Sequence, residues 1–101
     1  MAKRIIWSLQ AQNDRKDILR YWKDKNKSNT YSIKLNRLFV EAVKLIAQHP
    51  KIGKPTDITG VRAKLVRDYY ILFKDEKEWI SILSIWDTRQ NPAKLKEKLK
   101  V

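Results

Sequence analysis

The 101-residue chain contains no cysteine, and it has only two glycines and three prolines. Without cysteine it can form no disulfide bond, use no thiolate nucleophile and bind no metal through sulfur. It has one histidine, His49, and no acidic cluster with ligand spacing, so we predict neither a metal nor a cofactor. The apolar runs are too short to span a membrane, and residues 1–7 precede no hydrophobic signal segment. We therefore expect a cytoplasmic protein without a membrane partner.

Acidic residues are also scarce. Lysine and arginine together number 23 against 11 aspartates and glutamates, which gives a formal net charge of +12. A positive potential of this size attracts polyanions, whether nucleic acid, ribosomes, anionic membranes or an acidic protein. The charge alone does not choose among these partners, nor does it separate them from a merely soluble basic protein.

The spacing of the apolar residues predicts a strand, two helices and then three strands. Extended structure is favoured over residues 3–8, and Ser8 is placed to cap a helix that runs to about Lys25. Apolar residues then keep a helical period from Tyr31 to Ile46, and Pro50 ends this second helix. After a loop over residues 51–60 the period changes to two, which predicts strands that begin at residues 61, 69 and 79.

These elements predict a single α+β domain over residues 1–101. Three strands with short turns form an antiparallel meander, and two helices with a short connection form an antiparallel hairpin that covers one face of the sheet. We expect the first strand at the sheet edge and a short C-terminal helix that begins at Pro92. In the last strand, strict alternation places Ile80 and Ile82 on one face and Ile85 on the other.

Motifs along the whole chain resemble the RelE/ParE superfamily of toxins. Trp7-Ser8, Asp17-Ile18 and Tyr21-Trp22 are similar to its first helix, and residues 49–53 are similar to its helix-ending P-x-x-G. The basic strand of the superfamily is matched by Val61-Arg62 and Leu65-Val66, and its Tyr-containing strand is matched by residues 69–73. Its central strand is matched by residues 80–83, and its closing arginine lies within residues 86–92. The resemblance lies in the order and spacing of these motifs rather than in any one of them.

The resemblance implies the toxin of a type II toxin–antitoxin module, neutralised by a cognate antitoxin that binds through an acidic amphipathic segment. Some members of the superfamily are metal-independent, ribosome-dependent mRNA endonucleases, and others inhibit DNA gyrase without chemistry of their own. The basic composition favours mRNA cleavage. A gyrase inhibitor and a non-toxic basic interaction protein are the alternatives.

The cleaving branch of the superfamily gathers cations and a tyrosine or histidine on the concave side of its sheet, where they activate the 2′-hydroxyl and stabilise the phosphate. By this resemblance we expect a catalytic group on the open face of the sheet, together with an RNA-binding group. Trp86 has an aromatic face on which a base can stack, although such a tryptophan more often belongs to the core or to an antitoxin interface. The predicted catalytic residues are Arg62, Lys64, Arg89 and Tyr70, and the predicted RNA-binding residues are Arg67, Lys94 and Trp86. The alternative for Arg62 and Lys64, which their pattern favours, is that they form the solvated side of an amphipathic strand.

Two features depart from the cleaving branch. Tyr70 follows Tyr69 where that branch often has arginine, and Trp86-Asp87 replaces its basic or histidine residues. We interpret Asp87 and Arg89 as a structural ion pair.

The helix pair predicts a second kind of site. Its aromatic residues exceed what the sheet can bury, and apolar surface left exposed on a basic protein favours an acidic amphipathic partner. The predicted antitoxin contacts are Trp22, Tyr31 and Phe39, of which we expect at least one to bind the partner; the alternative is that all three belong to the core.

Overall fold

The structure, a computed structural model, describes residues 2–91, 93 and 94. Its elements are β1 (Arg4–Trp7), α1 (Leu9–Asn26), α2 (Thr30–Gln48), β2 (Lys54–Pro55), β3 (Val61–Val66), β4 (Tyr69–Asp75) and β5 (Trp79–Asp87). The predicted order of one strand, two helices and three strands is confirmed, with β2 as an additional short strand. Ala93 and Lys94 are helical, whereas Pro92 and the rest of the predicted C-terminal helix lie outside the described residues.

Local sequence signals set the ends of the helices. The hydroxyl of Ser8 accepts a hydrogen bond from the backbone N–H of Ala11 at 3.0 Å, which satisfies one of the free donors at the start of α1. At the other end, Lys27 adopts a left-handed conformation and its N–H donates to the carbonyl of Lys23. The second helix stops at Gln48, before the predicted breaker Pro50.

The five strands form one mixed sheet in the order β1-β5-β4-β3-β2. Strands β3, β4 and β5 are the antiparallel meander that the sequence predicts. The first strand lies at the edge, as expected, but it pairs in parallel with β5, from Arg4 beside Trp79 to Trp7 beside Ile82. The other strand pairs of the sheet are antiparallel.

An irregularity between β4 and β5 shifts the alternation of side chains in β5. The register changes between Leu72 and Phe73. As a result Ser84 and Ile85 both face the helices: the Ser84 hydroxyl donates to Asp14 of α1 at 2.6 Å, and Ile85 belongs to the core beneath the helices. The prediction that Ile85 lies on the opposite face is wrong, because strict alternation fails at a bulge.

Apolar side chains bury both faces of the sheet. The main core lies between the sheet and the two helices, and includes Leu35, Phe39, Ile71 and Phe73. A second cluster covers the other face and consists of Ile58, Val61, Ala63, Leu72 and Trp86. The face that the sequence predicted as open and cationic is thus partly an apolar core.

No helix in the described part of the chain combines the length and apolar character needed to cross a membrane.

Candidate functional site

Arg62 and Lys64 lie on the helix side of the sheet. In the β3–β4 pair Arg62 is opposite Phe73 and Lys64 is opposite Ile71, and residues directly opposite each other share a face. Both partners belong to the main core under the helices. The prediction that the open face gathers Arg62 and Lys64 is wrong, because their neighbours in β3 fill the second cluster and turn these two side chains the other way.

The Arg62 guanidinium binds backbone of its own chain. Its Nη2 donates to the carbonyls of Lys51 at 2.7 Å and Gly53 at 3.0 Å, and its Nε donates to the carbonyl of Ile52 at 3.3 Å. These bonds satisfy carbonyls in the turn after α2 and hold that turn against β3. Arg62 therefore has a structural role in the fold, whatever further role it has.

Tyr70 and Trp86 are neighbours on the opposite face of the sheet. They stand across from each other in β4 and β5 and line a groove of about 310 Å³ together with Lys54, whose Nζ lies 4.8 Å from the centre of the Tyr70 ring. Only 5% of Trp86 is exposed. The predicted stacking of a base on Trp86 is therefore not supported, since its ring is packed in the second cluster.

Arg89 lies at the end of β5, paired with Asp87 as predicted. Its Nε and Nη2 donate to the two carboxylate oxygens of Asp87 at 3.0 and 2.8 Å, and its backbone N–H donates to Oδ1 at 2.9 Å. The side-chain hydrogen bond from Arg89 lowers the pKa of the Asp87 carboxyl from its ordinary value of 3.8, and the same contact raises the pKa of the Arg89 guanidinium. Because this pairing is bidentate, both charged groups are oriented by each other.

A cleft of about 500 Å³ lies between α1 and the end of β5, and Arg89 lines it. The cleft also contains Tyr69, whose hydroxyl accepts a hydrogen bond from the indole N–H of Trp22 at 2.8 Å. Burial raises the pKa of the Tyr69 hydroxyl above its ordinary value of 10.0. Three carboxylates line this cleft beside the single guanidinium, namely Asp14, Asp17 and Asp87. Such a surface is poorly suited to an RNA phosphate.

The remaining predicted cations lie elsewhere. Arg67 occupies the turn between β3 and β4 with a φ of 55° and lines a groove of about 320 Å³ between α2 and β3, together with Lys64. Lys94 is exposed beyond the end of β5. Neither of these two residues lines the cleft that contains Arg89. The structure does not assemble the predicted catalytic and RNA-binding residues into one site.

The three predicted antitoxin contacts are mainly core residues. Phe39 has no exposed surface, so the prediction that it contacts a partner is wrong. Trp22 and Tyr31 are partly buried and pack edge to face with their ring centres 5.0 Å apart. Sequence reasoning missed Leu45 and Leu65, which are 37% and 51% exposed and line the groove between α2 and β3. The signal for Leu45 was its position at the margin of the apolar arc of α2.

Comparison with known proteins identifies the class of fold and then the family. The fold is similar to a chain in the solved structure "Chromosomal ParDE TA system from P. aeruginosa", with a TM-score of 0.78 and 22% identity, over 87% of this chain and 98% of that chain. A family model described as "ParE toxin of type II toxin-antitoxin system, parDE" matches residues 5–92. The chain belongs to this ParE toxin family, which confirms the resemblance to the RelE/ParE superfamily. A search of curated proteins gives no match.

Proposed function

We propose that this ParE-family toxin arrests growth by binding DNA gyrase, without cleaving RNA itself, and that a cognate antitoxin neutralises it. The observation that supports this proposal is the dispersal of the cations that cleavage would require. Gyrase inhibition was the alternative that the sequence left open, and the family match to ParE toxins favours it over mRNA cleavage.

Metal-free RNA cleavage needs a base, an acid and a phosphate-binding cation within reach of one bond. The Nε and Nη2 donors of Arg62 bind three backbone carbonyls, and the guanidinium of Arg89 is held by Asp87. These two side chains also line different surfaces. A toxin that acts by binding has no need for such convergence, because its effect depends on surface complementarity.

Purified toxin in a gyrase supercoiling assay tests this proposal. We expect inhibition that rises with toxin concentration, and intact mRNA when the same preparation is added to a translating extract. Arg89→Gln, which removes the predicted catalytic cation, should inhibit supercoiling as well as the wild type does. Full supercoiling at saturating toxin, with mRNA cut inside codons, would refute the proposal and favour the endonuclease hypothesis.

We propose that the antitoxin occupies the groove between α2 and β3. Leu45 and Leu65 provide exposed apolar surface there, flanked by the cations of Lys64 and Arg67. In the described part of the chain, β2 pairs with β3 only at Arg62 and Ala63, which leaves the outer edge of β3 beyond them without a neighbouring strand. A segment that combines apolar side chains with aspartate or glutamate complements this groove.

Calorimetric titration with the antitoxin encoded beside the toxin tests the groove. We expect the double variant Leu45→Asp, Leu65→Asp to lower antitoxin affinity at least 100-fold, because two buried apolar contacts of about 1.5–3 kcal/mol each are replaced by charges that repel the acidic segment. Ile33→Asp is the matched control, since Ile33 is also an exposed apolar residue of α2 but does not line the groove. Equal losses in both variants would place the antitoxin elsewhere.

A further inference from the structure

An apolar row crosses three strands on the face of the sheet opposite the helices. Leu65 of β3 stands opposite Tyr70 of β4, and Tyr70 stands opposite Trp86 of β5, so the three side chains share one face. Leu65 is 51% exposed, Tyr70 is partly buried and Trp86 is 5% exposed. Because adjacent strands lie about 4.8 Å apart, the row leads about 10 Å from the edge of the sheet to its interior.

Leu65 joins two grooves at the edge of β3. It lines the groove between α2 and β3, and its partner Tyr70 lines the groove of about 310 Å³ on the other face, which we call the open-face groove. The short strand β2 covers the edge of β3 at Arg62 and Ala63, but the described part of the chain places no strand outside Leu65. A partner can therefore pass from one groove to the other across Leu65 and meet the unpaired edge as it does so.

We propose that one continuous segment of the antitoxin crosses the edge of β3 at Leu65 and inserts a large apolar side chain into the open-face groove. This inference rests on the antitoxin binding in the groove between α2 and β3 that is proposed above. Acidic residues of the segment face Lys64 and Arg67 on the helix side, and the apolar anchor packs against Tyr70 on the other side. The antitoxin thus holds both faces of the sheet.

The charges of the two grooves suit different parts of such a segment. The groove between α2 and β3 contains Glu41 as well as Lys64 and Arg67, so its formal charge is +1 (2 − 1). In the open-face groove the charges of Lys54 and Asp57 cancel. Acidic residues of the antitoxin therefore complement the first groove, and an uncharged anchor complements the second.

The remaining lining of the open-face groove also favours an apolar anchor. The hydroxyls of Thr56 and Thr88 already donate to backbone carbonyls of this chain. The other lining residues are apolar or aromatic, namely Pro55, Ile58, Ala63, Tyr70, Leu72 and Trp86. A leucine or an aromatic side chain fits this groove better than a charged one, because its burial removes apolar surface from water.

Two other occupants fit these grooves less well. A nucleic acid base needs an open aromatic face, but the Nζ of Lys54 lies over the Tyr70 ring, 4.8 Å from its centre, and Trp86 is packed in the second cluster. A second copy of this chain carries the same net charge of +12 and is repelled by it. An antitoxin segment that combines acidic and apolar residues avoids both conflicts.

Calorimetric titration with the antitoxin encoded beside the toxin tests the proposal. Tyr70→Ala removes one wall of the open-face groove, and Thr88→Arg fills the groove from an exposed position. We expect each variant to lower antitoxin affinity by about tenfold or more, as the loss of a central apolar anchor does.

Matched controls make the same changes outside both grooves. Tyr21→Ala and Thr30→Arg alter exposed residues of α1 and α2 that line neither groove, and we expect both to bind antitoxin as the wild type does. Circular dichroism checks that all four variants are folded. If Tyr70→Ala unfolds, the comparison of Thr88→Arg with Thr30→Arg decides the test.

Leu45→Asp separates this inference from the groove on which it rests. If Leu45→Asp binds antitoxin weakly while both open-face variants bind it normally, the antitoxin stays on the helix side and this inference alone is overturned. Normal binding by all three variants would overturn the groove between α2 and β3 as well. If the open-face variants keep antitoxin affinity but no longer inhibit supercoiling, the open-face groove belongs to gyrase and the inference is wrong.

Discussion

Asp14 joins α1 to the bulge in β5, and its removal is the sharpest test of how the two layers are connected. The carboxylate is 7% exposed. Its Oδ2 accepts hydrogen bonds from the Ser84 hydroxyl at 2.6 Å and from the backbone N–H of Ile85 at 3.1 Å, and its Oδ1 accepts one from the Gln10 amide at 2.8 Å. The bulge thus depends on an acceptor from the opposite layer.

Asp14→Ala leaves the Ile85 N–H and the Ser84 hydroxyl buried without this acceptor. A buried donor without a partner costs about 1–3 kcal/mol, so we expect the free energy of unfolding to fall by about 3 kcal/mol. For a domain whose total stability is about 5–15 kcal/mol, this is a large fraction. Asp14→Asn keeps the shape and one acceptor oxygen but loses the charge, and should cost about 1 kcal/mol.

Urea unfolding followed by circular dichroism measures these effects. With a slope of about 1–1.5 kcal/mol per molar urea, Asp14→Ala should lower the midpoint by about 2–3 M. The control is Asp17→Ala, an exposed aspartate on the same helix, which should change stability by no more than about 0.5 kcal/mol. If the two alanine variants unfold within 1 kcal/mol of each other, the view that Asp14 stabilises the bulge is wrong.

Three further predictions concern backbone conformation and pH. Gly53 and Gly60 both have a φ of +81°, so alanine at either position should lower the free energy of unfolding by about 1–2 kcal/mol. In urea unfolding, Gly53→Ala should lower it by several kcal/mol more, because the added Cβ would lie 2.3 Å from a backbone oxygen in β3. Burial raises the pKa of the Tyr69 hydroxyl. The stability that the buried Tyr69 side chain contributes is therefore present below pH 10.0 and is lost as the pH rises above that value. Tyr69→Phe should therefore show a smaller alkaline fall in its urea midpoint; an equal fall would contradict this reasoning. The Arg89 guanidinium holds the pKa of Asp87 low, so the pair stabilises the fold above pH 3.8 and loses this effect as the pH falls below it. In an NMR titration, Arg89→Gln should raise the Asp87 pKa toward 3.8, and an unchanged midpoint would count against the pairing.

The order of elements could be predicted from sequence because each signal is local. The hydroxyl of Ser8 caps α1, Pro50 follows α2, and Arg67-Asp68 forms the turn between β3 and β4, all as their chemistry indicates. The parallel pairing of β1 could not be read in the same way, because it depends on where the helix hairpin returns the chain. The same holds for β2, whose two residues carry no periodic pattern.

The site was harder to predict because the side of a strand that faces solvent is a tertiary property. Arg62 and Lys64 alternate with apolar residues, and this pattern places them on one face without saying which face the helices cover. The structure puts them on the helix side, where Arg62 binds backbone carbonyls. The burial of Trp86 likewise depends on the second cluster, which forms only when residues around Ile58 pack against the sheet.

The parallel pairing of β1 and β5 has a consequence for folding during synthesis on the ribosome. Arg4 meets its partner Trp79 only after 75 further residues (79 − 4) have been synthesised. At about 5–20 residues per second, the first strand waits about 4–15 s on the ribosome before its place in the sheet exists. The sheet of the nascent chain therefore stays incomplete until β5 has been synthesised.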